Sequence, residues 1–216
     1  VKSGQKVAIV GPTGAGKTTL INLLMRFYDV DGGSILVDGV DTKEMTRHEL
    51  RDRFGMVLQD AWLFEGSIRD NIAYAQDNLP EEKIIAAARS ASVDSFIKTL
   101  PGGYDFELST GAENISQGQR QLLTIARAMA SDPEIMILDE ATSNVDTHTE
   151  QLIQKALAKL MHGRTSFVIA HRLSTIRDAD MILYMEHGDI LEHGSHEELM
   201  AQHGKYEALY MSQFAQ

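Results

Sequence analysis

The sequence predicts an α/β fold in which crossover helices join the strands of a mostly parallel sheet. Short β-branched apolar runs alternate with segments of helical spacing in the first and last parts of the chain. From about residue 61 to residue 131 the strand signals vanish and helical patterns remain. We therefore expect a core formed by residues 1–60 and 132–216, with a helical subdomain, residues 61–131, inserted into it.

The elements before the insertion follow from apolar runs and turn signals. A β-branched run over 6–10 stops at Gly11, which predicts a buried strand. Asp-Gly turn signals on both sides of residues 34–37 predict a hairpin and hence a small antiparallel β part. The elements predicted here are a strand over 6–10, a helix over 18–27, the hairpin at 34–37, a helix over 46–53 and a strand over 55–58.

Helical signals dominate the inserted segment, and strand–helix alternation returns after it. Pro80 followed by Glu81 and Glu82 is typical of a helix start, because proline fits the first turn and acidic groups favour the positive end of the helix dipole. The inserted helices are predicted over 80–90, 93–100 and 116–130. Beyond the insertion we predict strands over 135–138, 166–170, 181–185 and 190–192, and helices over 147–161, over 173–177 and near the end.

The composition is that of a globular protein and narrows the functions to be considered. Hydrophobic residues make up 43% and charged residues 24% of the 216 positions. The 20 basic against 31 acidic residues give a net charge of −11, which argues against nonspecific nucleic-acid binding as the main role. The chain has no cysteine and no apolar run near the 18 or so residues of a membrane span. We expect a soluble chain whose membrane role, if it has one, depends on a partner or on segments outside it.

The strongest chemical signal is a glycine-rich loop between the first predicted strand and the first predicted helix. It fits the spacing G-x-x-x-x-G-K-[ST] of a phosphate-binding loop. Glycines allow successive backbone N–H groups to surround an anion, and the helix N-terminus adds partial positive charge. Lys17 supplies a cation for the β- and γ-phosphates, and the Thr18 hydroxyl suits Mg²⁺. The predicted nucleotide-binding residues are Gly11, Pro12, Thr13, Gly14, Ala15, Gly16, Lys17, Thr18 and Thr19.

Two carboxylates follow the apolar run at residues 135–138. Four apolar residues there predict a central strand that is buried on both faces, and Asp139 and Glu140 come at its carboxyl end. Ligands bind at that edge of open α/β sheets. Asp139 suits Mg²⁺, which prefers oxygen ligands. Glu140 suits a general base for a water aligned on the γ-phosphorus.

A third motif reveals a resemblance to a known family. Ser116-Gln117-Gly118-Gln119 resembles the signature sequence of ABC ATPases and lies between the two phosphate motifs, as it does in that family. The order of the other motifs also matches: Gln59 follows a strand, Ser143-Asn144-Val145-Asp146 follows the acidic strand, and His171 follows the strand over 166–170. The resemblance covers essentially the whole chain. It implies a RecA-like P-loop NTPase core that binds ATP and Mg²⁺ and hydrolyses ATP.

The resemblance also assigns roles to matching positions. Gln59 would sense the γ-phosphate and bind Mg²⁺, and His171 would contact the γ-phosphate and orient Glu140 and the attacking water. Asp146 would border an interface with a second nucleotide-binding domain. The signature residues would bind the γ-phosphate of the nucleotide held by that other domain; they are Ser116, Gly118 and Gln119.

Several longer strings favour the exporter branch of the family. Residues 63–72, 170–176 and 188–199 are similar to strings of exporters whose ATPase domain is fused to membrane helices. The partners implied are transmembrane domains and a second nucleotide-binding domain, as a homodimer or a heterodimer. The implied location is the cytoplasmic face of the membrane, and the implied type is a multidrug or lipid half-transporter.

The sequence departs from the family pattern in three places. Gln117 stands where the family usually has glycine, which would be costly if that position needed a positive φ but is acceptable at a helix start. Thr110-Gly111 stands where exporters carry a Glu-Arg pair that touches the membrane domain. This departure is compatible with a heterodimeric transporter in which one of the two ATP sites is degenerate. No aromatic residue precedes Gly11 to stack on adenine, so we expect the family's first strands to lie before Val1.

Two other functions stay open from the sequence. One is a soluble ABC ATPase of DNA repair or translation. The repair types separate the phosphate loop from the signature by long heptad coils, but only about 100 residues without sustained heptads intervene here. A non-hydrolysing ATP-binding regulatory module would not need Glu140 and His171.

Overall fold

A computed structural model describes residues 1–58, 60–74, 76, 78–139 and 145–214, except the side chains of residues 213 and 214. The strands are β1 (Lys6–Val10), β2 (Leu36–Val37), β3 (Val40–Asp41), β4 (Phe54–Val57), β5 (Gly66–Ser67), β6 (Glu107–Leu108), β7 (Ile135–Asp139), β8 (Thr165–Ile169), β9 (Met181–Glu186) and β10 (Asp189–Gly194). The α-helices are α1 (Lys17–Leu24), α2 (Arg47–Asp52), α3 (Ile68–Ile72), α4 (Glu81–Ser90), α5 (Asp94–Ile97), α6 (Gln117–Ser131), α7 (Thr147–Met161), α8 (Leu173–Arg177), α9 (His196–Ala201) and α10 (Lys205–Phe214).

The main sheet is mostly parallel, and its order brings the ends of distant strands to one edge. The order is β10-β9-β1-β8-β7-β4, with β1 parallel to β8 and β9, and β7 parallel to β8. β10 pairs antiparallel with β9. Val7, Ala8 and Ile9 are fully buried, as expected for a central strand with residues packed on both faces. The predicted α/β class with a mostly parallel sheet is confirmed, and the phosphate loop, Asp139 and His171 follow strands that end at the same edge.

Contacts along the chain define two compact units. The first contains Val1–Phe54, Glu134–Glu140 and Arg164–Gln216, and the second contains Gly55–Pro133 and Ala141–Gly163. The segment predicted as an insertion, 61–131, lies within the second unit. That unit also holds α7, which the sequence analysis assigned to the core, so its boundary differs from the expected one.

Helices dominate the second unit, and α6 has the largest buried face among them. Leu123, Ile125 and Ala126 on α6 are fully inaccessible to solvent. The predicted absence of strands between 61 and 131 is wrong in one detail, because β5 and β6 form a two-stranded antiparallel ribbon. Strands of two residues have no apolar run or alternation that a sequence pattern could detect.

Helix α1 is shorter than the predicted 18–27. It ends at Leu24, and Arg26 adopts a left-handed backbone with φ of 52°. The Arg26 guanidinium then donates to the carbonyls of Thr42 (2.8 Å) and Met45 (2.7 Å), which ties the helix end to the segment after the hairpin. Because apolar periodicity continues past this point, a prediction from periodicity alone makes the helix too long.

None of the helices in the described part of the chain combines the length and the apolar character that a membrane crossing requires.

Candidate nucleotide-binding site

The loop between β1 and α1 presents backbone N–H groups at a helix start. Gly16 is the N-cap of α1, with φ of 100° and no side-chain cap, so the first N–H groups of the helix are available to an outside acceptor. A Cβ on Gly11, whose φ is 148°, would lie 2.1 Å from the carbonyl oxygen of Met185. Gly188 N–H donates to the Ala15 carbonyl (3.0 Å) and fixes the loop against the turn between β9 and β10. The loop is therefore a preformed anion cradle in which glycine is sterically required.

Lys17 lies in the first turn of α1 and reaches back over the loop. Its Nζ donates to the carbonyls of Gly11 (2.7 Å) and Pro12 (3.0 Å). Burial lowers the pKa of the Lys17 ammonium, and the negative charge of Asp139 opposes that shift. Among the other predicted loop residues, Ala15 is buried and Gly11 and Gly16 are half-buried. The exposed ones are Pro12, Thr13, Gly14, Thr18 and Thr19.

Asp139 is the last residue of β7, and one of its carboxylate oxygens is in an unusual environment. Its Oδ1 is buried and has no hydrogen-bond donor among the described residues. His171, which comes just after β8, places its Nε2 3.8 Å from that oxygen and is half exposed. A buried carboxylate oxygen without a donor is costly unless a cation meets it. Together with the exposed Thr18 hydroxyl, Asp139 therefore fits Mg²⁺, a hard ion that prefers such ligands.

Some predicted residues lie outside the described part of the chain. These are Gln59, Glu140 and the first residues of the 143–146 motif, Ser143 and Asn144. Their assigned roles stay predictions.

The signature segment begins helix α6 with reciprocal caps. Gln119 N–H donates to Ser116 Oγ (3.2 Å), and Ser116 N–H donates to Gln119 Oε1 (2.9 Å). The Ser116 hydroxyl and the backbone N–H groups of the first turn lie at the dipole-positive end of the helix, which favours an anion. Gln117 has an ordinary negative φ, so the expectation that glutamine is tolerated at this helix start is correct.

The end of the 143–146 motif caps helix α7 in the same unit. Asp146 Oδ1 accepts from Thr149 N–H (3.0 Å), and hydrogen bonds from the Thr149 backbone and side chain lower the pKa of the exposed Asp146 carboxyl. The Thr149 methyl also faces Gly118 of α6. Sequence reasoning missed Thr149; the cap pattern of Asp146 followed three residues later by a hydrogen-bonding residue is the signal that could have found it.

The segment that departs from the exporter pattern has its own contacts. The Thr110 hydroxyl donates to Glu65 Oε2 (2.6 Å). Gly111 has φ of 68°, and the buried Ala112 has φ of 51°. A tight left-handed turn thus occupies the positions where exporters carry the Glu-Arg pair. The carboxylate next to this turn belongs to Glu65, the residue before β5.

Each unit collects one set of groups with related chemistry. In the first, Lys17, Asp139 and His171 surround a helix N-terminus, which suits a polyphosphate with its metal ion. In the second, Ser116, Gly118 and Gln119 form another helix N-terminus rich in donors, beside the Asp146 cap. Both sets suit the γ-phosphate end of a nucleotide.

Comparison with known proteins identifies the family of the chain. A family model described as "ABC transporter" matches residues 1–143. A fatty acid ABC transporter ATP-binding/permease protein of Mycobacterium bovis is 58% identical over 203 residues, which cover 94% of this chain and 32% of that protein. An ATP-dependent lipid A-core flippase of Desulfotalea psychrophila is 51% identical over 213 residues, 99% of this chain and 37% of that protein.

A solved structure gives the same picture for the fold. The structure of a bacterial Atm1-family ABC exporter with ATP bound superposes with a TM-score of 0.91 at 44% identity, covering all of this chain and 38% of that one. The chain spans about a third of the length of the curated relatives it matches.

Proposed function

The chain belongs to the ABC transporter family as its ATP-binding and ATP-hydrolysing part, and from that membership we propose that it drives an exporter. In this proposal it pairs with a second nucleotide-binding domain, a copy of itself or a sister subunit, at the cytoplasmic face of a membrane. ATP draws the pair together, and hydrolysis releases it. The observation that carries the proposal is the cluster of Lys17, Asp139 and His171 around the N-terminus of α1.

Hydrolysis needs little covalent work from the protein. The N–H groups at the start of α1 and the Lys17 ammonium hold the β- and γ-phosphates, which positions the γ-phosphorus for in-line attack. Glu140 accepts the proton of the attacking water as the water oxygen bonds to phosphorus and the bond to the ADP oxygen breaks. His171 donates a hydrogen bond to the γ-phosphate and orients the water. Mg²⁺, held by Thr18, Asp139 and Gln59, would neutralise charge on the phosphate oxygens.

The signature residues complete the site of the partner domain. Ser116, Gly118 and Gln119 present donors at a helix N-terminus, and this supports their role as ligands of a γ-phosphate bound elsewhere. A pair of domains held in this way buries two nucleotides, so the closed form is stabilised by the triphosphate and weakened by loss of the γ-phosphate.

An exposed apolar surface supports a membrane-domain partner. In the second unit Leu58, Trp62 and Tyr74 are 48%, 60% and 47% exposed. The Arg127 guanidinium lies 4.8 Å from the Tyr74 ring centroid and donates to the Trp62 carbonyl (3.0 Å), which holds the aromatic side chains in place. Rigid exposed aromatic residues of this kind mark protein interfaces. We assign this surface to a permease segment of the kind that the relatives' names give.

Replacing the proposed base tests the assignment. We expect Glu140→Gln to lower ATP turnover by about 10²-fold or more, since the water loses its proton acceptor. ATP would still bind, and the variant would accumulate as an ATP-bound pair, visible by analytical ultracentrifugation in Mg-ATP. Glu134→Gln is the matched control, because Glu134 lies before the same strand, is exposed and forms a long ion pair of 3.9 Å with Arg53. Normal hydrolysis by Glu140→Gln would show that another group is the base.

A further inference from the structure

Gly118 is required by the close approach of two helices rather than by its backbone angle. Its φ is ordinary for any residue. A Cβ at this position would nevertheless lie 2.3 Å from Thr149 Cγ2 and 3.1 Å from Val145 Cγ1. Real Cβ atoms do not approach methyl carbons so closely, so alanine here would force either the Thr149 side chain out of its rotamer or α6 and α7 apart.

The methyl group that meets Gly118 has a fixed direction. Thr149 is the third residue of α7, and its backbone N–H donates to Asp146 Oδ1 (3.0 Å). The Thr149 side chain also helps to lower the pKa of the Asp146 carboxyl. A β-branched side chain has few χ1 rotamers in a helix, so the place of Thr149 in the first turn of α7 limits where its methyl group can point. Thr149 thereby contacts the Asp146 cap through its backbone N–H and the signature helix through its methyl group.

We propose that Thr149 is a positioning residue that holds the signature helix and the Asp146 segment at a fixed distance, so that both are placed correctly for the partner's nucleotide. This inference rests on the proposed function, in which these two segments act on a nucleotide in the other domain. A displacement of about 1 Å at the start of α6 would move all hydrogen-bond donors of the signature together. In enzymes generally, misplacement of that size can lower the rate roughly 10²-fold.

A suppressor experiment isolates the steric contact. In the complete protein, we expect Gly118→Ala to lower ATP turnover by at least ~10-fold. Thr149→Ser removes Cγ2 and keeps the hydroxyl and the backbone N–H bond to Asp146 Oδ1, so the pair Gly118→Ala/Thr149→Ser should regain ~5-fold or more of the lost turnover. Thr149→Val keeps a methyl group towards Gly118, and Gly118→Ala/Thr149→Val should stay as slow as Gly118→Ala. Gly32→Ala is the control, because a Cβ there meets nothing within 4 Å and the turnover should not change.

Two further readouts separate positioning from general damage. ATP binding by the chain's own phosphate loop, measured by equilibrium titration, should not change in Gly118→Ala, so the loss appears in turnover. If Gly118→Ala does not fold, thermal unfolding takes the place of turnover: serine at 149 should restore the folded state and valine should not.

The outcomes distinguish this inference from the function on which it rests. Equal rescue by serine and valine, rescue by neither, or unchanged turnover in Gly118→Ala would overturn the role of Thr149. Ser116→Ala is measured in parallel. If Ser116→Ala hydrolyses ATP at the normal rate, the signature has no role in the site, and the proposed function is overturned together with the inference.

Discussion

At the scale of single residues, the phosphate loop shows which glycines are required by space and which only by backbone angle. Gly11 is enclosed by the Met185 carbonyl, whereas a Cβ on Gly14 would meet nothing within 4 Å, although its φ is 80°. Both residues have a positive φ, but only at Gly11 does a backbone atom occupy the space that a Cβ would need. The loop therefore contains a natural pair of test and control positions.

We predict that Gly11→Ala costs about 3 kcal/mol or more of folding free energy, because backbone cannot move aside as a flexible side chain can. Gly14→Ala should cost only about 1 kcal/mol, the strain of a left-handed residue. Urea unfolding of the two variants checks the difference. Equal losses would mean that the approach of Met185 to the loop is not as close as described.

The residues of the phosphate loop and the Asp139 strand could be identified from the sequence, because each motif consists of neighbouring residues whose spacing reports its chemistry. The reason for Gly118 could not. In the sequence Gly118 is simply one residue of the signature motif. The fold brings the Thr149 methyl group of another helix to 2.3 Å from the position of a Cβ on Gly118, and no sequence pattern reports that contact.

At the scale of elements, helix α5 depends on one largely buried carboxylate, that of Asp94. Asp94 accepts from Lys98 Nζ (2.7 Å) and from the Tyr104 hydroxyl (2.7 Å), and its side chain is only 13% exposed. Burial raises the pKa of Asp94, but the hydrogen bonds from Lys98 and Tyr104 outweigh it, so the pKa lies below its usual value. The carboxylate thus stabilises α5 and the turn that contains Tyr104.

We predict that Asp94→Asn lowers the free energy of unfolding by about 1–3 kcal/mol at pH 7, the usual effect of weakening hydrogen bonds to a charged group. Because the folded pKa is depressed, the charged form contributes stability above the unfolded value of about 4, and this is lost as pH falls through the folded pKa. The difference between wild type and variant should therefore shrink as the pH falls below about 4. Asp60→Asn, an exposed position in the same unit, controls for loss of charge; a difference independent of pH would contradict the assignment.

Most elements could be predicted because their patterns are local. Helix α7 and helix α8 have the bounds that apolar spacing predicts. Helix α1 was predicted too long because its end is set by hydrogen bonds from Arg26 to carbonyls beyond the hairpin, which a pattern within the helix does not contain.

At the scale of the whole molecule, strand–helix alternation was sufficient to predict the mostly parallel sheet, since crossover connections between parallel strands leave few other arrangements. The sheet order brings the phosphate loop, Asp139 and His171 to one edge without any of them being close in sequence. The signature set lies in the other unit. Residues of both sets are needed if one nucleotide is to be held between two domains.

The most direct test of that pairing is a disulfide between the two sets in different molecules. This chain has no cysteine, so within it only introduced thiols can react. In the complete protein with Glu140→Gln, one subunit carries Thr13→Cys in the phosphate loop. The other carries cysteine at position 117, or at the matching position of a sister subunit. We predict that Mg-ATP produces the crosslink and that ADP does not, while Lys98→Cys in place of the cysteine at 117 gives none. Absence of the crosslink in Mg-ATP, with both thiols reactive, would contradict a nucleotide held between Lys17 of one domain and Ser116 of the other.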